Sequence, residues 1–168
     1  MTTTVKKPSD LLALAGTDLG SSGWLEIPQT DIDLFARATH DAQWLHVDAE
    51  RAKTGPFGTT IAHGYLTLSL LIPLWSQILH IEELGMAVNY GLNKVRFPAP
   101  VPAGSKVRLK GSLAEVTDIG NGAVQVLADA TLERAGGGKP VCVAQMIHRY
   151  TPANMRGSAE RGAEGTYQ

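Results

Sequence analysis

One aspartate and three histidines lie close together in the first half of the chain: His40, Asp41, His46 and His63. Aspartate and histidine move protons in many enzymes, so Asp41 and His46 could form a general acid/base pair. Both residue types serve more often as loop, cap or packing groups, so this pair alone indicates catalysis only weakly. The spacing of the three histidines matches no common metal-binding motif, and we therefore expect no metal site.

Gly64 offers a different kind of group, a backbone amide. The run from Gly58 to Gly64 leads directly into an apolar segment, so amides near Gly64 would lack hydrogen-bond partners at a helix start. Such amides could hold the developing oxyanion of a polarised thioester carbonyl. Gly64 could equally serve only to let the helix approach a sheet closely. A proton-transferring pair together with an oxyanion donor is what the hydration of an enoyl thioester requires.

Helices are expected to hold these groups in the N-terminal half. Thr30 and Asp33 predict a helix start, with a side-chain cap and negative charge in the first turn. Asp48 predicts the cap of a short helix over residues 49–53. Residues 64–79 are apolar on nearly all sides, which predicts a buried helix that Pro73 kinks or ends.

The C-terminal half has the alternating pattern of β-strands. Residues 107–113 and 124–132 each place apolar side chains on one face, and the Gly- and Asn-containing turn between them predicts a hairpin. Residues 141–150 and 89–97 predict a third and a fourth strand. Hairpin-linked strands after one buried helix indicate an α+β domain in which an antiparallel sheet wraps around the helix.

The composition is that of an ordinary globular protein, with 43% hydrophobic and 18% charged residues among 168. We predict one domain over residues 8–151, flanked by flexible tails at residues 1–7 and 152–168. The formal net charge of -1 gives no reason to expect a nucleic-acid or membrane partner. A single cysteine, Cys142, and no apolar leader in the first eight residues predict a cytoplasmic protein.

Three runs of sequence resemble the MaoC-like dehydratases, the family of the (R)-specific enoyl-CoA hydratases. Residues 38–48 contain the Asp-x4-His element, residues 56–66 contain His-Gly, and residues 89–104 end in Pro-Val-Pro-Ala-Gly. The resemblance is to the single-domain bacterial branch that includes nodulation-protein-N-like hydratases. It covers about residues 8–151, and the three elements in this order are fairly specific.

The resemblance implies the hot-dog fold, a curved antiparallel sheet around a central helix, and a homodimer. It implies that Asp41 and His46 activate one water, which adds to C3 of a trans-2-enoyl-CoA and gives the (R)-3-hydroxyacyl-CoA. The Gly64 amide would bind the thioester oxygen. No cofactor is expected, because coenzyme A is part of the substrate and the thioester itself acidifies C2. An acyl carrier protein could carry the acyl group instead.

The chain departs from the commonest family pattern beside the predicted pair. His40, Gln43 and Trp44 stand where the family often has glycine, asparagine and proline. Gln43 and Trp44, with His63 and Tyr65, are predicted to bind substrate or support the site. His80 and His148 are predicted to be structural or surface residues.

Two alternative functions remain open. Other hot-dog proteins are acyl-CoA thioesterases, and an accessory protein that only binds acyl-CoA could share the fold.

Overall fold

A computed structural model of the protein describes residues 2–153. Its elements are, in chain order, β1 (Thr3–Val5), a 3-10 helix (Pro8–Leu14), β2 (Asp18–Ser21), β3 (Leu25–Ile27), α1 (Gln29–Thr39), α2 (Trp44–Val47), α3 (Ala49–Lys53), α4 (Gly64–Ser69), α5 (Leu71–Trp75), β4 (Leu79–Ile81), β5 (Leu84–Arg96), β6 (Ser105–Gly120), β7 (Ala123–Arg134) and β8 (Cys142–Pro152). The larger sheet has the strand order β2-β6-β7-β8-β5, with β3 also paired to β6, and every pairing in it is antiparallel. No helix in this part of the chain is long and apolar enough to cross a membrane.

The four predicted strands are present as β5 to β8, each longer than the sequence pattern indicated. Alternation places side chains such as Leu109, Val126 and Met146 in the core between the sheet and the helices. The turn joining β6 and β7 has Asn121 and Gly122 at positive φ, which suits these residue types. The α+β class and the wrapped antiparallel sheet are therefore confirmed.

The predicted buried helix over residues 64–79 is corrected to two short helices, α4 and α5. The proline at position 73 has no backbone N–H for a continuous helix and would crowd the carbonyl one turn earlier. The chain therefore ends α4 at Ser69 and begins α5 at Leu71, which places Pro73 in the first turn of α5. After Trp75 the chain turns into β4, a strand that the sequence pattern did not predict.

The start of α1 also differs from the prediction. Thr30 makes no capping hydrogen bond, because α1 begins at Gln29 and the cap position is Pro28, two residues before the predicted cap. The Gln29 side chain instead donates to the Asp33 carboxylate at 2.8 Å. The predicted cap of α3 is present, since the Asp48 carboxylate accepts from the Arg51 backbone N–H at 3.0 Å.

Both predicted tails overlap strands. Residues Thr3–Val5, placed in the N-terminal tail by the sequence, form β1 and pair in parallel with β4. At the other end Pro152 still belongs to β8. The pairing corrects the tail assignment for these residues, because a neighbouring strand satisfies their backbone groups. Residue 1 and residues 154–168 lie outside the described part of the chain.

The helices pack closely on the sheet at Gly111 in β6. A Cβ atom at this position would lie 2.6 Å from Cζ3 of Trp75 and 2.7 Å from Cδ1 of Ile78. Both neighbours are buried, so neither side chain can swing into solvent. Only glycine allows α5 and the turn after it to approach the sheet this closely.

Replacing Gly111 with alanine should therefore destabilise the protein. We expect a loss of about 1–3 kcal/mol in the free energy of unfolding, because the added methyl group overpacks a dense core. Urea unfolding followed by circular dichroism measures the change. Gly91→Ala in β5 is the matched control, since its Cβ would meet only Ile147 Cδ1 at 4.0 Å. Equal stability of the two variants would contradict the close approach.

Candidate active site

The turn after α1 places the Asp41 carboxylate at the site. His40 follows the last residue of α1 and has φ 62°, in the left-handed region. Histidine adopts this conformation at some cost, and glycine adopts it freely. This geometry gives a physical reason why the family that the sequence resembles often has glycine at the position of His40. Asp41 leaves this turn with its side chain exposed to solvent.

The His46 side chain is buried and held in one tautomer. Only 8% of the residue is exposed, and its Nδ1 lies 2.7 Å from the Ile61 carbonyl oxygen. A carbonyl oxygen only accepts hydrogen bonds, so Nδ1 carries the proton. In the neutral ring, Nε2 then keeps its lone pair and can accept a proton from a bound molecule.

The carbonyl that orients His46 belongs to an extended stretch of chain, residues 60–63. The Ile61 N–H donates to the Leu45 carbonyl at 3.0 Å, which ties this stretch to α2. On the other side, the Ala62 N–H donates to the Val101 carbonyl at 2.8 Å. Hydrogen bonds on both sides fix the stretch before it enters α4, so the position of the Ile61 carbonyl is well determined.

His63 connects the Asp41 turn to the start of α4. Its ring is 2% exposed, and Nε2 donates to the Asp41 backbone carbonyl at 2.9 Å. The ring stacks on His46, with centroids 3.7 Å apart and planes at 24°, and contacts Phe35 on another side. Its Nδ1 has no hydrogen-bond partner in the described part of the chain. His63 therefore positions both predicted catalytic side chains.

The side chains of Asp41, His46 and His63 come together as a cluster. One possible ligand atom from each lies within 4.8 Å of the others, so the cluster could in principle surround a cation. Stacked rings direct their in-plane nitrogens side by side, whereas tetrahedral ligation needs lone pairs that converge on one point. One nitrogen of each ring is also taken by a carbonyl. The arrangement suits a water molecule better than a metal ion.

Gly64 and His46 line the same cavity, which has a volume of about 340 Å³. Gly64 is the first residue of α4, so its N–H has no partner within the helix. A Cβ at Gly64 would lie 3.0 Å from the Phe97 ring, so glycine is also needed for close packing there. Both roles proposed for Gly64 from the sequence are compatible with this geometry.

The environment of His46 keeps its imidazole neutral. Burial lowers the pKa of His46 from its ordinary value of 6.5, and the bond to the Ile61 carbonyl opposes that change. The neighbouring His63 lowers the pKa further, while the Asp41 carboxylate raises it. The net direction is downward, so near pH 7 the ring is neutral and able to act as a base.

The lining of this cavity does not include Asp41, His63 or the remaining predicted site residues. The Gln43 carbonyl accepts from the His46 N–H at 2.9 Å, at the start of α2. The Trp44 ring packs under the Arg51 guanidinium, 4.4 Å from its centroid. Tyr65 is 72% exposed. Roles in substrate binding for these side chains stay predictions.

Three residues that shape the site were not expected from the sequence. Ile61 acts through its carbonyl, and Phe35 through ring contact with His63. The Gln29 amide donates to the His46 carbonyl at 2.7 Å and accepts from the Thr60 hydroxyl at 2.5 Å. A backbone carbonyl has no residue signature, so no sequence signal marked Ile61. Gln29 likewise has no sequence feature that distinguishes it from other residues at a helix start.

Comparison with known proteins decides the family. The model of the MaoC like domain matches residues 10–134, about three quarters of the chain. The chain belongs to the MaoC-like dehydratase family. This assignment confirms the resemblance of the sequence, and with it the predicted enzyme class, the hydro-lyases.

Individual relatives agree with the assignment. The chain is 54% identical over 147 residues to 3-hydroxyacyl-thioester dehydratase Z of Mycobacterium tuberculosis, covering 88% of this chain and 97% of the relative. It is 44% identical over 141 residues to nodulation protein N of Rhizobium leguminosarum, covering 83% and 88%. The R-hydratase PhaJ1 of Pseudomonas aeruginosa superposes with a TM-score of 0.69 at 22% identity, covering 88% and 87%. The hot-dog fold is thereby confirmed.

A His63→Phe variant tests the coupling between the stacked rings. Phenylalanine keeps an aromatic ring beside His46 but removes the neighbouring imidazole. We expect the pKa of His46 to rise, because one of the influences that lower it is lost. NMR titration of the His46 ring protons measures the shift. His80→Phe, at an exposed site, is the control. An unchanged or lower pKa of His46 in His63→Phe would contradict the coupling.

Proposed function

We propose that the protein catalyses the reversible hydration of trans-2-enoyl-CoA to (R)-3-hydroxyacyl-CoA. The observation that carries this proposal is the fixed tautomer of His46. Its Nδ1–H is bound to the Ile61 carbonyl, so Nε2 is the nitrogen left free on a ring that clusters with Asp41 and lines the same cavity as Gly64. A base and an unpaired amide at one cavity, with a carboxylate clustered beside the base, are the groups that water addition to an enoyl thioester needs.

In this mechanism Asp41 and His46 hold one water over C3 of the substrate. The water oxygen bonds to C3 as His46 Nε2 takes a proton from the water, and the C2=C3 π electrons move toward the thioester carbonyl. The Gly64 N–H donates to that carbonyl oxygen as negative charge develops on it. The proton taken up by His46 Nε2 is then delivered to C2, which regenerates the carbonyl and leaves His46 neutral again. The hydroxyl group of the water is then on C3 and the hydrogen on C2. Dehydration follows the same steps in reverse.

No metal or redox cofactor takes part in the proposed reaction. The thioester carbonyl acidifies C2 and accepts the charge that a metal would otherwise stabilise. Oxidation states do not change, because OH and H add across one double bond. A chelator should therefore leave the rate unchanged. Coenzyme A enters only as the substrate's carrier, and an acyl carrier protein could replace it. The protein is proposed to act in the cytoplasm.

We expect the Asp41→Asn and His46→Gln variants to lose most hydratase activity. Each should lower kcat/KM by about hundredfold or more, because a positioned acid or base typically contributes that much. Loss of crotonyl-CoA absorbance measures the rate, and chiral analysis of the product tests the (R) configuration. Circular dichroism shows whether each variant is folded. The exposed residues Asp31 and His80 supply matched controls, Asp31→Asn and His80→Gln.

Other outcomes would replace the proposal. Release of free coenzyme A thiol from the substrate would indicate a thioesterase. Binding of crotonyl-CoA without any change in its absorbance would indicate an accessory protein. Full activity in a folded Asp41→Asn or His46→Gln variant would contradict the site.

We also propose that the protein is a homodimer paired through β5. This strand of 13 residues, Leu84–Arg96, is at the edge of the sheet and has an unpaired side. Its large apolar side chains are exposed, among them Met86 at 54% and Tyr90 at 55%. A long apolar edge strand is prone to aggregation unless a partner covers it. Two copies of β5 related by a two-fold axis would cover each other.

Pairing through β5 predicts that negative charge placed on this strand dissociates the dimer. We expect a Met86→Glu and Val88→Glu double variant to elute as a monomer in gel filtration, because two like charges would face each other across the axis. The control is Ile119→Glu, which adds charge to an exposed apolar residue away from β5. A stable, fully active monomer of the wild type would contradict the proposal.

A further inference from the structure

A cavity under the loop between β7 and β8 is separate from the candidate active site, and we call it the outer cavity. It has a volume of about 220 Å³ and is lined by an aromatic residue, two arginines, a glutamate and three glycines: Trp24, Arg108, Glu133, Arg134, Gly136, Gly137 and Gly138. Pockets that enclose a whole small ligand usually measure roughly 300–1,000 Å³. The outer cavity therefore suits one end of an extended ligand.

Trp24 and Arg108 form a flat surface in the outer cavity. Arg108 and Glu133 are Cα partners in β6 and β7, and the next residue of β6, Leu109, is fully buried. Alternation therefore places both charged side chains on the face of the sheet away from the helices. The Arg108 guanidinium lies over the Trp24 ring, 4.6 Å from its centroid, and Trp24 is still 47% exposed. Aromatic rings and guanidinium planes are the surfaces on which nucleotide bases stack.

Ion pairs hold Arg108 in this position. Its Nε donates to one Glu133 carboxylate oxygen at 3.1 Å, and Lys110 Nζ lies 2.7 Å from the other. Among the hydrogen bonds within residues 2–153, only the Nε of this guanidinium takes part, so its terminal nitrogens remain donors. Arg134 makes no ion pair in the same residues. Three cations thus surround one carboxylate, and guanidinium groups with free N–H donors favour phosphate.

The three glycines add backbone donors to the outer cavity. Gly136, Gly137 and Gly138 have φ of 92°, 80° and 100°, a conformation that other residues rarely adopt. The Gly137 N–H donates to the Arg134 carbonyl at 3.2 Å, whereas the N–H groups of the other two glycines find no acceptor within residues 2–153. Backbone amides that converge in a turn next to cations are typical of phosphate sites.

A short segment of chain connects the outer cavity with the active-site cavity. Gly138 lines the outer cavity, and Val141 lines the cavity of His46 and Gly64. Three residues span at most about 11 Å, which limits the distance between these two Cα atoms. The pantetheine arm of coenzyme A, which separates the thioester from the nucleotide, is longer than this. A thioester bound at His46 can therefore have its nucleotide end at Trp24.

We propose that the outer cavity binds the phosphoadenosine end of the coenzyme A substrate, with the base stacked on Trp24 and a phosphate held by Arg108, Arg134 and the glycine amides. The inference rests on the proposed hydratase function and deepens it, because it selects coenzyme A over an acyl carrier protein. A carrier protein presents the acyl group on the same kind of arm but has no base to stack. The exposed stacking surface is the observation that favours coenzyme A.

Two substrates with the same reacting atoms test the proposal. Crotonyl-CoA carries the nucleotide, and crotonyl-pantetheine lacks it. We expect the wild type to have a KM for crotonyl-CoA that is lower by roughly tenfold or more, because stacking and charged hydrogen bonds both contribute. Trp24→Leu and Arg108→Gln should each raise that KM by about fivefold or more and leave kcat unchanged, since the lost contacts are distant from the reacting atoms. Neither variant should change the kinetics of crotonyl-pantetheine.

Matched variants show whether the effect belongs to the outer cavity. Trp24→Phe keeps an aromatic surface and should retain most of the affinity for crotonyl-CoA. Arg37→Gln removes an exposed cation from α1 and should leave both KM values unchanged. Circular dichroism shows whether each variant is folded.

Titration calorimetry with adenosine 3′,5′-bisphosphate measures the outer cavity without turnover. We expect the wild type to bind this nucleotide and Trp24→Leu to lose most of the binding. Binding that depends on Trp24, combined with an unchanged KM for crotonyl-CoA in Trp24→Leu, would indicate a site for a free nucleotide and overturn the assignment to coenzyme A.

The pantetheine substrate separates this inference from the function on which it rests. Hydration of both substrates with equal KM values would overturn the nucleotide site alone, because the hydratase activity would stand. Hydration of neither substrate by the wild type would overturn the proposed function and this inference with it.

Discussion

The backbone of residues 60–63 is the constraint on which the candidate site depends. This stretch is paired with α2 through Ile61 and with the loop after β5 through Ala62, and it continues directly into α4. Its carbonyl at Ile61 fixes the tautomer of His46. Its last residue, His63, holds the Asp41 turn. One short extended segment therefore sets the position of the base, the carboxylate and the helix-start amide together.

The site combines a rigid interior with an open entrance. His46 and His63 are buried and stacked, and each has one nitrogen bound to a carbonyl, so neither ring can rotate freely. Asp41 faces solvent at the end of a strained turn. Substrate and water can reach the carboxylate from outside, while the base that must keep its lone pair is protected. The conformational cost of this arrangement is the left-handed backbone conformation of His40.

Strand β5 takes part both in packing and in the proposed assembly. One side of it faces α4 and α5 across a cavity of about 410 Å³, and its unpaired edge remains open in a single chain. Pairing of two copies along this edge would place the partner beside that cavity. A change in β5 would therefore be expected to affect both the cavity and the dimer.

The sequence by itself determined the four long strands, β5 to β8, the fold class and the identity of the chemical groups. Alternation in β6 to β8 reports burial directly, and the Asp-x4-His and His-Gly elements are local. Pro73 indicated that the central helix is interrupted, but the interruption is at Leu70, three residues earlier, and the apolar run gave no sign of two separate helices. The tail assigned to residues 1–7 failed for β1 because its partner, β4, is remote in sequence and was itself not predicted.

Only the tertiary structure decided how these groups act. Ile61 orients His46 through a carbonyl that every residue possesses, so no residue type could indicate it. His63 donates to the backbone carbonyl of Asp41, 22 positions earlier in the chain. His148 was expected only as a structural or surface residue. Its burial, with no partner for Nε2 among residues 2–153, depends on where α5, β5 and β8 meet. Such contacts arise from packing between distant segments, and local residue patterns carry no record of them.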